Sequence, residues 1–593
     1  MSRALPRSRK AVRALVAGAV LAAPLAATAA PAQAAAATAG TYTVTPLRFT
    51  VQAGGRSCVI DADLYRPDGV DADRPAPAVL ATNGFGGSKN DGSTDAIGKA
   101  VASRGYVGLV YSGLGFGKSG CLISLDDPRI DGQAAARLVD FLAGTRAADD
   151  GTRADFVTHD GPDDPRVGMI GGSYGGAIQL ATAATDPRLD ALVPLITWND
   201  LAYSLAPNAA DRATPGVFKW QWANGFYLMG EGQPLLVPSL DPSRVNGLGC
   251  LHFVTDACDT VRLLNSGSYP RAATDRMLAF ARSVSPVSYL DKVKAPTLIV
   301  QGQSDSLFNL NEAQDTYDTL RRHGVETRMI WQSWGHSGGQ RPGELDLGQG
   351  NLETSYVGRR VLAWFDRHLR GDRTVDAGPA FAYYRDWQTG YGTADGVPAP
   401  SRRLYLSGDG KLVDNRAKVA RGSRAYANWL VPTSHSESSL AGLIGLPDPR
   451  PYDTAGTYLG WTSAPLTEPA DLVGSPRATL KVVSPRTERV QDSGDAADKL
   501  VLFAKLYDVS PDGTRTLVNR LVAPVRVPDV TRPFTVELPG IVHRYETGHR
   551  LEFVIAASDT AYAGNRGVKP VTVVSAPEDT GTLDLPLVRG RVE

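Results

Sequence analysis

The sequence predicts a mostly parallel β-sheet with helices on both faces, interrupted by a helical insertion and followed by an all-β sandwich. Three observations predict it. Strand and helix signals alternate from about residue 77 to 196 and again from 296 to 369, the pattern of a sheet covered on both sides. Residues 199–285 between them carry mixed polar and aromatic content without a strand period. Beyond residue 375, short alternating stretches recur between turn signals such as Pro511-Asp512-Gly513, and no long helical pattern appears, as in a sandwich of jelly-roll type.

The elements follow in order. Residues 1–34 join a basic start (Arg3, Arg7, Arg9, Lys10, Arg13), an Ala-rich apolar run and Ala32-Gln33-Ala34, which together predict a cleaved export signal. Residues 41–66 alternate polar and apolar and predict two antiparallel strands. Residues 77–82 form a short apolar run that feeds Asn83-Gly84-Phe85-Gly86-Gly87, a buried strand entering a glycine loop. Further strands are predicted at 106–111, 167–170, 189–196, 296–301 and 326–331, with helices at 92–104, 132–142, 174–185, 310–322 and 355–369. The expected domains are 35–374, with a helical lid at about 199–285, and a β-sandwich at 375–593.

Composition narrows the function. Lys+Arg and Asp+Glu balance at 62 each, so no global field draws nucleic acid or an anionic membrane. No segment after the signal is apolar enough to anchor the chain in a bilayer. The expected partner is a small peptide or acyl ester substrate, and the expected location is extracellular. The four Cys (Cys58, Cys121, Cys250, Cys258) then meet an oxidising compartment, where disulfides form. None lies in a Cys/His cluster, so no metal site is expected.

Gly171-Gly172-Ser173-Tyr174-Gly175 fits G-x-S-x-G between a predicted strand and a small-residue helix. That context lifts a serine onto a tight turn as a nucleophile. A serine needs a base, and His336, in the loop Trp334-Gly335-His336-Ser337 after the last parallel strand, is the best placed of the eight His. Asp305 follows the strand at 297–300, just outside its carboxyl end, where open sheets place functional groups. Asp315 and Asp318 lie inside the next helix and fit worse. The order Ser173, Asp305, His336 is that of the α/β-hydrolase fold. The backbone N–H groups of Tyr174 and Phe85 are the expected oxyanion donors. Such chemistry calls for no cofactor.

These residues resemble the Xaa-Pro dipeptidyl-peptidase and cocaine-esterase group of α/β-hydrolases. The resemblance rests on residues 168–176 at the nucleophile, the Asp305 and His336 loops, the helix at 361–371, Pro465-Leu466-Thr467 and Gly548-His549-Arg550-Leu551. It implies a secreted peptidase-like serine hydrolase with Xaa-Pro specificity, and as the alternative an esterase or acylase with the same triad. Group members often carry a Pro-Tyr pair whose hydroxyl binds the oxyanion. Here Phe85 stands in that loop without a hydroxyl. In the usual strand order of the fold, Cys58 reaches the end of the sheet from which Cys121 departs, so Cys58–Cys121 and Cys250–Cys258 are the expected pairs. A free substrate amine would need a lid carboxylate, for which Asp200, Asp211 and Glu231 are available. Trp220, Trp222, Phe226 and Tyr227 are candidate pocket walls. Trp220, Trp222 and Glu231 are the substrate contacts the sequence favours.

Overall fold

The computed structural model describes residues 40–233, 241–437 and 447–592. The expected export signal at 1–34 lies outside them. The chain enters as a hairpin, β1 (Tyr42–Ala53) and β2 (Arg56–Pro67). Gly54 and Gly55 join the strands with φ of +55° and +74°, values that a two-residue hairpin turn demands and that glycine adopts without a steric penalty. Strands β3 (Ala78–Thr82), β4 (Val107–Tyr111), β5 (Val167–Gly172), β6 (Leu189–Leu195), β7 (Thr297–Gly302), β8 (Thr327–Gln332), β9 (Phe381–Arg385) and β10 (Gly390–Ala394) complete one sheet. Its order is β1-β2-β4-β3-β5-β6-β7-β8-β9-β10. β3 to β9 run parallel, and β1, β2 and β10 are antiparallel to their neighbours.

β3 and β4 are buried at every position because helices cover both faces of the sheet, which is why they read as unbroken apolar runs. On one face, α2 (Gln133–Leu142), α3 (Tyr174–Thr185) and α8 (Leu310–Arg322) pack Leu138, Ile178 and Leu320 against Leu80 and Leu109. On the other, α1 (Gly92–Ser103) and α9 (Tyr356–Leu369) pack Val101, Trp364 and Phe365 against Val79 and Val110. Alternate residues of one strand thus feed two separate cores.

The insertion after β6 is helical, as expected, with α4 (Leu201–Leu205), α5 (Trp220–Gly232), α6 (Thr255–Asn265) and α7 (Arg271–Ser283). The C-terminal part is antiparallel β-structure around a core of its own that includes Leu404, Trp461, Phe553 and Leu583. The first sheet runs past the expected boundary at 374–375, because β9 and β10 extend it to Ala394. Residues from Gly40 onward form one compact unit, and lid and sandwich share buried contacts such as Val217 with Val501 and Phe503. Among the described residues no helix is long and apolar enough to cross a membrane.

Cys58 pairs with Cys121 and Cys250 with Cys258, as expected. β2 lies antiparallel beside β4 with Ala62 opposite Tyr111, which brings the start of β2 to the chain leaving β4. Cys58–Cys121 closes a separation of 63 residues. Its removal by C58S/C121S is expected to cost about 4 kcal/mol by loop entropy, read as a lower urea midpoint with a steeper slope, because the released chain exposes more surface when unfolded. An unchanged midpoint would count against that contribution.

Candidate active site

Ser173 stands between β5 and α3 with φ +57° and ψ −118°, a conformation that costs a non-glycine residue about 1–3 kcal/mol. The surroundings impose it. The Ser173 N–H donates to the Leu195 carbonyl (2.9 Å), and its own carbonyl accepts the Thr197 hydroxyl (2.8 Å) and the Gly176 N–H (2.9 Å). The glycines of the motif are places where a side chain cannot fit. A Cβ on Gly175 would sit 2.5 Å from the Thr82 carbonyl oxygen, and one on Gly171 2.5 Å from that of Gly175.

β7 and β8 deliver the partners. His336 Nε2 lies 2.8 Å from Ser173 Oγ, and Nδ1 lies 2.7 Å from Asp305 Oδ2. The His336 backbone N–H donates to the same oxygen at 3.1 Å. Asp305 Oδ1 accepts the N–H groups of Leu307 (3.0 Å) and Phe308 (2.8 Å). Asp305 is fully buried. Gly335 permits the approach of the two loops, since a Cβ there would lie 2.4 Å from Asp305 Cβ. The arrangement suits a relay in which Nδ1–H is held by the carboxylate and Nε2 receives the serine proton.

The glycine loop lies against the serine: a Cβ on Gly84 would be 3.9 Å from Ser173 Cβ. Asn83 fixes that loop. Its Oδ1 accepts the Gly113 N–H (3.0 Å), and its Nδ2 donates to the Gly84 carbonyl (2.8 Å), which also accepts the Gly87 N–H. With that carbonyl engaged, the Phe85 N–H of the same planar peptide points the opposite way. Among the described residues neither the Phe85 nor the Tyr174 N–H donates a hydrogen bond, so both are free to receive an anionic oxygen.

The walls are apolar. Phe308 and Trp222 stand edge-on to His336, with ring centroids 5.0 and 6.2 Å away. Phe85 meets Phe116, Tyr174, Phe226 and Phe253. Beyond Phe85 an apolar pocket opens under the lid, lined by residues that include Leu201, Phe226, Phe253, Met277 and Phe280, with no charged side chain among its lining.

Of the substrate contacts expected from sequence, Trp222 reaches the site. The structure separates the other two from it. Trp220 is 40% exposed and its indole donates to the Thr560 carbonyl of the sandwich. Glu231 accepts the N–H groups of Leu251 (2.7 Å) and His252 (3.0 Å) and holds the loop of the second disulfide. Asp200 caps α4, and Asp211 accepts the Ala213 N–H and the Thr214 hydroxyl. Sequence reasoning missed Lys219, Ser306 and Glu437. Glu437 Oε1 accepts Ser306 Oγ and, at 3.2 Å, the Trp222 indole. Burial raises its pKa, and burial pulls the Lys219 ammonium down to about 8. No sequence motif marks any of the three.

Residues 55–338 match the family model described as X-Pro dipeptidyl-peptidase (S15 family), and residues 379–576 match that of the X-Pro dipeptidyl-peptidase C-terminal non-catalytic domain. Among solved structures the chain is similar to an aminopeptidase from the marine sediment archaeon Thaumarchaeota archaeon (16% identity, TM-score 0.63, covering 95% of this chain and 99% of that one). It is similar to an α-amino acid ester hydrolase (17%, 0.63, 93% and 98%). A CocE/NonD family hydrolase from Staphylococcus aureus aligns at 13% identity and TM-score 0.59, over 93% and 97% of the two chains. At these identities the likenesses show a common fold. No curated protein matches the sequence.

Ser173→Ala is expected to abolish labelling by a fluorophosphonate and to lower turnover by on the order of 10⁴-fold or more. His336→Ala should cost a similar factor and the double mutant little beyond it, because the residues act as a unit. Multiplied losses in the double mutant would assign the base elsewhere.

Proposed function

Since the chain belongs to the S15-type family of α/β-hydrolases and is a serine hydrolase, we propose that it is an exported enzyme that cleaves small esters and amides carrying an apolar acyl group, through an acyl-enzyme on Ser173. Ser173 Oγ attacks the acyl carbonyl as His336 Nε2 takes its proton. Asp305 holds the imidazole in the required tautomer and balances its charge. The developing oxyanion is received by the N–H groups of Phe85, in the loop after β3, and of Tyr174 at the start of α3, where the helix dipole also favours negative charge. His336 then protonates the leaving group, and a water attacks the acyl-enzyme by the reverse relay.

The observation that carries the acyl preference is the uncharged aromatic pocket beyond Phe85. Burying a phenyl or branched alkyl group there gains about 25 cal/mol per Å². A substrate ammonium in the same place would need a carboxylate, and Asp200, Asp211 and Glu231 each hold protein groups instead. Export is supported by the pattern of residues 1–34 and by two disulfides, which persist in oxidising compartments.

The second reading is an Xaa-Pro dipeptidyl-peptidase, favoured by the description of the family model over residues 55–338. The missing hydroxyl at Phe85 weighs against it, because one oxyanion donor is worth on the order of 10²–10³ in kcat and slow amide chemistry has least to spare. The two readings part in a substrate panel. Aryl esters of apolar acids are expected to exceed Ala-Pro-anilide in kcat/KM by on the order of 10³, and acetylating the anilide's amine is expected to change little. Efficient cleavage of Ala-Pro-anilide, lost on acetylation, would establish the peptidase reading instead.

A further inference from the structure

We propose that Lys219 is a positioning residue of the triad: an ammonium from the lid that holds the carbonyl ends of the two peptide units whose N–H ends hold Asp305, with Glu437 of the sandwich as the acid facing it. The proposal rests on the reading of Asp305 as the triad acid.

Lys219 precedes α5 and is buried. Its Nζ donates to the carbonyls of Ser306 (2.7 Å) and Leu307 (2.9 Å). The Ser306 carbonyl and the Leu307 N–H belong to one peptide unit, and the Leu307 carbonyl and the Phe308 N–H to the next. Those two N–H groups are the donors to Asp305 Oδ1. In a trans peptide the two ends point in opposite directions. Two continuous chains therefore run from the ammonium, through a peptide, to the carboxylate. Each hydrogen bond polarises the next, so a positive charge at the carbonyl ends strengthens the donors at the other ends and fixes the turn that carries Asp305.

Glu437 completes the clamp from the sandwich. Its Oε1 accepts Ser306 Oγ, which lies 2.7 Å from Ser337 Oγ. Ser306 and Ser337 follow Asp305 and His336 in the chain, so one carboxylate ties the acid loop to the base loop. Lid and sandwich thus both end on the turn after β7.

The titratable groups around Lys219 are Asp305 on that turn, Glu312 on α8, Tyr203 of the lid, and Glu437, Arg520 and the Tyr562 ring (6.0 Å) of the sandwich. The three acids favour the ammonium, and burial opposes it more strongly. The charge is present below about pH 8 and lost as pH rises through that value. Glu312, raised to about 7 by burial, titrates on the acid side of this step.

The test is the pH dependence, from 6 to 10, of kcat and KM on an aryl ester, together with the rate of fluorophosphonate labelling, for wild type, K219M and E437Q. Wild type is expected to lose kcat and labelling rate above about pH 8 at constant KM. K219M should be slower at pH 7 by on the order of 10²-fold, the scale of a small misplacement of a reacting group, and should lack that alkaline limb. E437Q should move the limb to lower pH, because removing the facing charge weakens the ammonium. A wild-type profile in K219M, or a loss confined to KM, overturns the proposal. If K219M does not fold, an unmoved limb in E437Q overturns it. Absence of Ser173 labelling in wild type would instead overturn the triad reading beneath it.

Discussion

A carboxylate taken out of water must be met by donors, and the site is organised around that requirement at Asp305. Four N–H groups converge on its two oxygens: the ring and backbone of His336, and the backbones of Leu307 and Phe308. Two of these bonds fix the acid to its own turn. The other two fix the base to the acid. Because β7 and β8 are adjacent and parallel, their loops emerge side by side and the contact needs no long excursion of the chain.

Ser173 depends on the same sheet in a different way. β5 lies between β3 and β6, so the turn at Ser173 is hemmed by the ends of both. Leu195 and Thr197 hold its backbone from one side, and Thr82 crowds Gly175 from the other. The strained φ of Ser173 is thereby over-determined, and the serine points where His336 can reach it. Glycines 171 and 175 are needed because backbone carbonyls stand where a Cβ would be.

Much of this was legible in the chain. The nucleophile turn announces itself locally, and the order Ser173, Asp305, His336 carries the topology with it. The Cys58–Cys121 link followed from the strand order, since Cys58 near the start of β2 and Cys121 in the chain beyond β4 meet only when β2 packs on β4. The lid was legible as helical but not in its orientation. Trp220 and Trp222 are two residues apart, so on a helix they face different ways, and only packing decides which one meets His336. Glu231 satisfies backbone N–H groups of a loop with no recognisable signal. β9 and β10 are short strands like those of the sandwich that follows, so no local signal shows that they extend the first sheet to Ala394. Lys219 and Glu437 meet the acid turn from two distant segments, a contact that no local pattern encodes.

The second disulfide has a consequence of a different kind. Cys250–Cys258 spans only 8 residues, so it constrains the unfolded chain less than the longer link and acts chiefly on local shape. Cys258 lies on α6 between Ala257 and Thr260, which line the apolar pocket, and its sulfur lies 3.7 Å from the Tyr227 hydroxyl. The cluster of Ser173, His336 and Asp305, by contrast, contains no sulfur and needs no oxidation step. The contacts among these three residues thus form without a covalent step, while the border of the apolar pocket takes its last bond only where disulfides persist. Reduction of that one bond would therefore loosen the border of the apolar pocket and break no covalent link among Ser173, His336 and Asp305.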